Sequence, residues 1–170
     1  MRRTAKDAYK EFAVARAGQL FRSACLLAGG DTHLAEDLVQ ETLGRMYVVW
    51  GRMGQVDNPA GYAQTVLVRT FLTHQRRRSS HESPAAVLPD RAAQDSFGDA
   101  ALRVALLTAL AALPPKDRAV LVLRYWEDRS IEETAAVLQS TPGAVRTRTT
   151  RALSRLRREL DCGLLDLVAG

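Results

Sequence analysis

Apolar residues along this chain recur at three- and four-residue steps and rarely alternate with polar ones, a pattern that predicts helices and no sheet. The first helix spans about 7–28 and is stopped by Gly29-Gly30, and Asp31 or Thr32 caps a second over about 33–50. Wound at a helical period, Ala35, Leu38, Val39, Leu43, Met46, Tyr47 and Trp50 form the packing side of that second helix, opposite a polar side of Asp37, Gln40, Glu41 and Gly44. Gly51 to Asn58 reads as a loop, and Asn58-Pro59 opens a third long helix ending in QRRRSS. Its stretch TVLVRTFLT is β-branched enough to pass for a buried strand, but no second strand exists to pair with it, so the pattern predicts a helix buried on most sides. Further on, DAALRVALLTALAALPP and KDRAVLVLRYWED are amphipathic helices, the first broken by Pro114-Pro115. SIEETAAVL follows, with Ser130 and Glu133 in capping-box spacing, then the tight turn QST. Thr141 caps the last helix and Pro142 suits its first position, while Val145, Thr149, Ala152, Leu153, Leu156 and Leu160 make one apolar stripe. The count is about eight helices in an all-α chain.

Charge divides the chain. Residues 1 to 80 hold twelve Lys/Arg against seven Asp/Glu, residues 81 to 99 one against four, and residues 100 to 170 eleven against eight. The acidic middle segment, SSHESPAAVLPDRAAQDSF, contains two prolines and several small polar residues and reads as a flexible linker. Two small helical domains, 1–79 and 99–170, are therefore expected on either side of a linker at 80–98. A net charge of +5 favours a polyanionic partner. Cys25 and Cys162 stand in no metal or disulfide spacing, and His33, His74 and His81 show none with one another, so neither a metal nor a cofactor is expected. Without a membrane-length apolar run, a signal-peptide core, a Gly-rich phosphate loop or a Ser/His/Asp set, the reading is a cytoplasmic non-enzyme with no membrane partner and no small-molecule substrate.

The chemistry concentrates near the end. Arg146, Arg148, Arg151, Arg155, Arg157 and Arg158 lie largely outside the apolar stripe and face Glu159, a balance that repels itself unless an anion is near. A short helix, a tight turn and a longer basic helix make the helix-turn-helix pattern, whose second helix enters a major groove.

These segments resemble a known family. AEDLVQETLGRMYVVW resembles region 2.1 to 2.2 of extracytoplasmic-function sigma factors, the alternative promoter-specificity subunits of bacterial RNA polymerase. NPAGYAQTVLVRTFLTHQRRR is similar to their region 2.3 to 2.4, and ALAALPPKDRAVLVLRYWEDRSIEETAAVLQSTPGAVRTRTTRALSRLRREL to their region 4. The resemblance covers nearly the whole chain in order and is strongest to the actinobacterial SigE-like subgroup. It implies promoter recognition and DNA strand opening performed with core RNA polymerase. Asp37, Gln40 and Glu41 would dock on the β′ clamp helices, and Leu121, Leu123, Tyr125 and Trp126 would combine core packing, expected above all for Trp126, with a groove for the β flap. Asn58, Tyr62 and Gln64 would hold an unstacked base of the minus-ten element, replacing the stacking it loses, although the spacing of Tyr62 from Val66 also fits the core. Arg76, Arg77 and Arg78 would hold single-strand phosphates. Arg69 and Thr73 replace the Asn and Asp that many members carry, and Arg69 adds a phosphate donor at the cost of the usual base contacts. At the minus-thirty-five element Thr141 and the first-turn amides would bind phosphate, Arg146 and Thr147 base edges, and Arg148, Thr149 and Arg151 bases or backbone. Arg155, Arg157 and Arg158 would be solvated, the tail CGLLDLVAG would pack on the second domain, and an anti-sigma factor would be a further protein partner.

Two other classes compete. A stand-alone helix-turn-helix regulator would share the last module but needs a sensor or receiver domain, and no α/β pattern is present. A recombinase or nuclease lacks the clustered carboxylates or activated serine its chemistry requires.

Overall fold

A computed structural model describes residues 3–79 and 99–169, with side chains as far as 163; the linker at 80–98 and the packing of the tail lie outside the described residues. Seven α-helices and no strand are found among those residues. Helix α1 (Ala5–Leu27) starts earlier than its periodicity suggests, because Thr4 and Asp7 close a capping box: each side chain bonds the other residue's backbone N–H. Asp31 caps α2 (Thr32–Val49) by accepting from Leu34 N at 3.1 Å. The expected loop beyond it begins as a 3₁₀ turn at Trp50–Gln55, wound around the buried Met53. Helix α3 (Pro59–Ser79) contains the β-branched stretch, with Leu67, Val68, Thr70 and Phe71 buried. Burial on a helix therefore overrides strand propensity there.

The second half comprises α4 (Ala100–Ala111), α5 (Pro115–Leu121), a π turn at Val122–Trp126, α6 (Ile131–Leu138) and α7 (Pro142–Ala169). Ser130 and Glu133 form the predicted capping box of α6. Gln139 ends that helix in the left-handed region at φ 51°, which turns the chain sharply into α7. Helix α7 packs on α4, α5 and α6 through Val145 and Ala152, while α1, α2 and α3 pack on one another around Leu20, Leu38, Met46 and Phe71.

The two halves meet along a seam. Gly29, at φ +62°, lies so close to the end of α4 that an added Cβ would come within 2.6 Å of Ala111 Cβ. A Gly29→Ala substitution combines left-handed strain with a clash and is expected to cost about 1–3 kcal/mol, read as a lowered melting temperature. An unchanged melting temperature would mean that α1 and α4 separate without penalty.

Candidate nucleic-acid interface

The basic helix is built as its sequence requires. Thr141 Oγ1 accepts from Ala144 N at 3.2 Å, and its carbonyl accepts from Val145 N at 3.0 Å. With Val145 and Ala152 buried behind, Arg146, Thr147 and Arg151 are exposed in front, and Arg148 and Thr149 are half-buried. The hydroxyls of Thr147 and Thr149 donate to Gly143 O at 3.1 Å and Val145 O at 2.7 Å, so each offers a partner its lone pairs and methyl group. Arg148 and Arg155 both reach the carboxylate of Asp117, at 2.9 and 2.7 Å. Arg155 is thus an ion-pair member, whereas the sequence reading left it solvated.

On α3 the candidate residues are divided by role. Asn58 Oδ1 accepts from Gly61 N at 3.0 Å, so this side chain caps the helix. Tyr62 is 40% exposed, which removes the core reading, and Gln64 is buried with its Oε1 lacking a hydrogen-bond partner. These three line one cavity, and Trp126, Glu127, Asp128 and Arg129 from the second half line its other wall. Arg129 crosses the seam to donate to Thr65 Oγ1 at 2.8 Å and Gly61 O at 2.7 Å. Arg69 crosses in the opposite direction, donating to Val137 O at 3.1 Å and Ala136 O at 3.2 Å at the end of α6, where the helix dipole favours a cation; Ala136 O also accepts from Gln139 N at 3.3 Å. Arg118 completes the seam: it donates to Leu27 O at 2.8 Å with its guanidinium 5.3 Å from the centre of the Phe71 ring, and burial pulls its pKa down to about 10. Arg76 donates to Thr73 Oγ1 at 3.2 Å; Arg77 is exposed and Arg78 half-buried.

The polar side of α2 carries Asp37, Gln40 and Glu41 as exposed residues, with Glu41 paired to Arg45 at 2.7 Å. An exposed pair of this kind contributes little stability, which leaves Glu41 available to a partner. The packing side differs from the sequence reading at Tyr47, which is 53% exposed, and the buried place is taken by Thr42, whose hydroxyl donates to Leu38 O. Tyr47 and the 75% exposed Val48 extend the polar stripe with apolar surface. Tyr9 fixes this end of α2, donating to Leu43 O at 2.7 Å and meeting Tyr47 and Trp50 edge-on. Leu121 and Leu123 are buried, but Tyr125 and Trp126 are 57% and 44% exposed, so the core expectation for Trp126 fails. The π turn swings both aromatics outward, a local rewinding that helical periodicity does not encode. Among the described residues no group of three or more His, Cys, Asp or Glu could hold a metal, and no helix is long and apolar enough to cross a membrane.

The sequence matches Sigma-70 region 2 over residues 13–81 and Sigma-70, region 4 over residues 103–156. It is 39% identical to the RNA polymerase sigma-E factor of Streptomyces avermitilis over 158 residues, 93% of this chain and 88% of that protein. The chain belongs to the sigma-70 family. The sigma-E factor of Streptomyces coelicolor is 37% identical to this sigma factor over 158 residues, 93% of one chain and 89% of the other. The ECF RNA polymerase sigma factor SigE of Mycolicibacterium smegmatis is 33% identical over 165 residues, 90% of this chain and 62% of the relative. The same fold occurs in the sigma factor RpoE of Bartonella quintana, crystallised with the anti-sigma factor NepR, with a TM-score of 0.71 at 23% identity over 91% of this chain and 97% of that one. In this sigma factor α1 to α3 thus fall in region 2, and α4 to the first half of α7 in region 4.

Proposed function

We propose that this alternative sigma factor docks on the β′ clamp helices of core RNA polymerase through Asp37, Gln40 and Glu41, with Tyr47 and Val48 beside them, and directs transcription initiation at two promoter elements. Region 4 reads the minus-thirty-five element with α7, and Tyr125 and Trp126 offer an aromatic surface to the β flap. Region 2 holds the opened minus-ten element with Tyr62, Gln64 and the arginines from Arg69 to Arg78, while Asn58 shapes the entry of α3. Its place of action is the cytoplasm, it uses no cofactor, and it carries out no reaction of its own. By the same reading an anti-sigma factor is a partner that would cover these exposed faces.

The observation that supports this reading best is α7 itself. Its start is capped and its back is buried, and it presents Arg146, Thr147 and Arg151 to solvent directly after the turn at Gln139. Run-off transcription on fragmented genomic DNA, with purified core polymerase and mapped RNA 5′ ends, tests the assignment. Discrete starts that depend on this protein and share two upstream boxes are the expected result. Duplex binding by the chain alone with no new starts would instead favour a stand-alone regulator. Within the same assay, Arg146→Ala is expected to cost about 1–3 kcal/mol at cognate promoters and relax the preference at one base of the upstream box. A uniform loss across sequences would make Arg146 a phosphate contact.

A further inference from the structure

Asp117 lies in the first turn of α5, where a carboxylate ordinarily sits on the surface and answers the helix dipole. Here its side chain is only 2% exposed. A carboxylate so far from water must be paired, and this one is paired twice: Oδ1 accepts from Arg148 Nη1 at 2.9 Å and Oδ2 from Arg155 Nη1 at 2.7 Å. The Pro114-Pro115 entry fixes its backbone, with Asp117 N donating to Pro114 O at 3.0 Å. Arg148 and Arg155 stand two turns apart on α7, about 10 Å along the axis, so their heads must converge to share one carboxylate. Each guanidinium carries about five N–H donors, of which these bonds use one. Their side chains remain 41% and 45% exposed, beside a cleft also lined by Ser140, Gly143, Thr147 and Arg151. Among the described residues Asp117 is the one acidic residue on that cleft, so two cations held by a single anion keep a net positive charge there.

We propose that Asp117 is a positioning residue of the minus-thirty-five face. It clamps Arg148 and Arg155 into one preformed seat for a DNA phosphate, and in doing so withdraws Arg148 from base reading. Phosphate suits the seat because planar guanidinium forks match its oxygens, and heads already ordered lose less freedom on binding. An arginine tied back to α5 cannot also extend to the groove floor, which leaves Arg146 and Arg151 as the exposed arginines of the front face, with Arg146 on the first turns that meet base edges. The assignment rests on the promoter-binding reading above and refines it from a list of basic residues to a division of labour.

The test uses the holoenzyme, with cognate promoter duplex and random duplex as probes. Asp117→Asn keeps the size of the side chain but puts an amide donor against an arginine. It is expected to weaken cognate binding about tenfold while leaving random-duplex binding unchanged or tighter, since net positive charge rises. Asp117→Glu should recover part of the loss. On an Arg148→Ala/Arg155→Ala background, Asp117→Asn should add nothing, because the effect travels through those two side chains. Equal losses on both backgrounds, or losses that track a lowered melting temperature, would make Asp117 an ordinary structural part of α5 and overturn the proposal. Equal gains on cognate and random duplex would overturn it too, making Asp117 a damper of non-specific attraction. Wild-type holoenzyme that yields no protein-dependent starts removes the promoter reading and this proposal together. Starts that Asp117→Asn leaves untouched remove this proposal alone.

Discussion

Replacing Arg129 with alanine is expected to raise the affinity of the isolated chain for fork-junction promoter DNA at least about tenfold, although the substitution removes a positive charge. The reason lies in the seam. The Arg129 fork spans Gly61 O and Thr65 Oγ1 on α3, on the wall of the same cavity that Asn58, Tyr62 and Gln64 line. On the proposed assignment of the extruded base to that cavity, the fork and the base would compete for the same wall, so closing the seam and minus-ten binding would oppose each other. Truncating one member of a buried, hydrogen-bonded charge set weakens a contact by about 2–5 kcal/mol, and here it also leaves Glu127 without its cation at 3.3 Å. If the closed form dominates in the free chain, apparent DNA affinity is the intrinsic affinity multiplied by the open fraction, and the substitution raises that fraction. Fluorescence anisotropy with a fork whose non-template strand is unpaired measures the affinity, and energy transfer between labels on α2 and α7 measures the separation. Unchanged energy transfer with weaker DNA binding would show that Arg129 acts only through its charge.

The α2 face proposed to dock on polymerase is accessible while the seam is closed. The polar side of α2 is exposed, and so are Tyr47 and Val48, whereas Arg69 is committed to the carbonyls of Ala136 and Val137. On the proposed docking through α2, core binding would precede release of α3, and DNA would then compete for Arg69 with the end of α6. A guanidinium fork fits two carbonyl oxygens or the oxygens of a phosphate, so the two sets compete for Arg69.

The helices and their caps were legible because both are local. Asp31, Ser130 and Thr141 act on backbone within three residues, and Val145 and Ala152 of α7 are buried on the stripe the sequence displays, although Leu153 of that stripe is exposed. The choice of polymerase-facing surfaces came from the family resemblance alone. The seam was not legible: Arg118, Arg129 and Arg69 look like ordinary charges in their own segments, and their partners Leu27, Gly61 and Ala136 contribute main-chain carbonyls, which no sequence pattern marks. Asp117 escaped notice for a related reason. Its spacing from Arg148 and Arg155 matches no helical period because the pair forms between helices. Trp126 was misjudged because a π turn shifts the facing of every residue after Val122.

Acidification is expected to tighten the seam, and Glu127→Gln to remove most of that response. Glu127 sits in the turn between Trp126 and Arg129 with its side chain 6% exposed, and burial pushes its pKa up to about 7 against the opposing influence of Arg129 and Ser23. In the separated or unfolded chain the carboxyl returns towards its ordinary value of 4.5. Between these two values the closed state binds the proton more tightly, so the contribution is fully present below about 4.5 and is lost as pH rises towards 7. Above that range a buried carboxylate costs about 3 kcal/mol, of the same order as the hydrogen bonds Arg129 makes across the seam. A free chain at pH 5 should therefore resist denaturant better and show higher energy transfer between α2 and α7 than at pH 8. The Gln side chain cannot ionise, so the variant should hold nearly constant across this window at the cost of its ion pair with Arg129. Every other ionisable group is common to both proteins, so the difference between the two pH profiles isolates Glu127. Parallel profiles would place the pH response elsewhere and show that water reaches Glu127 in the closed state.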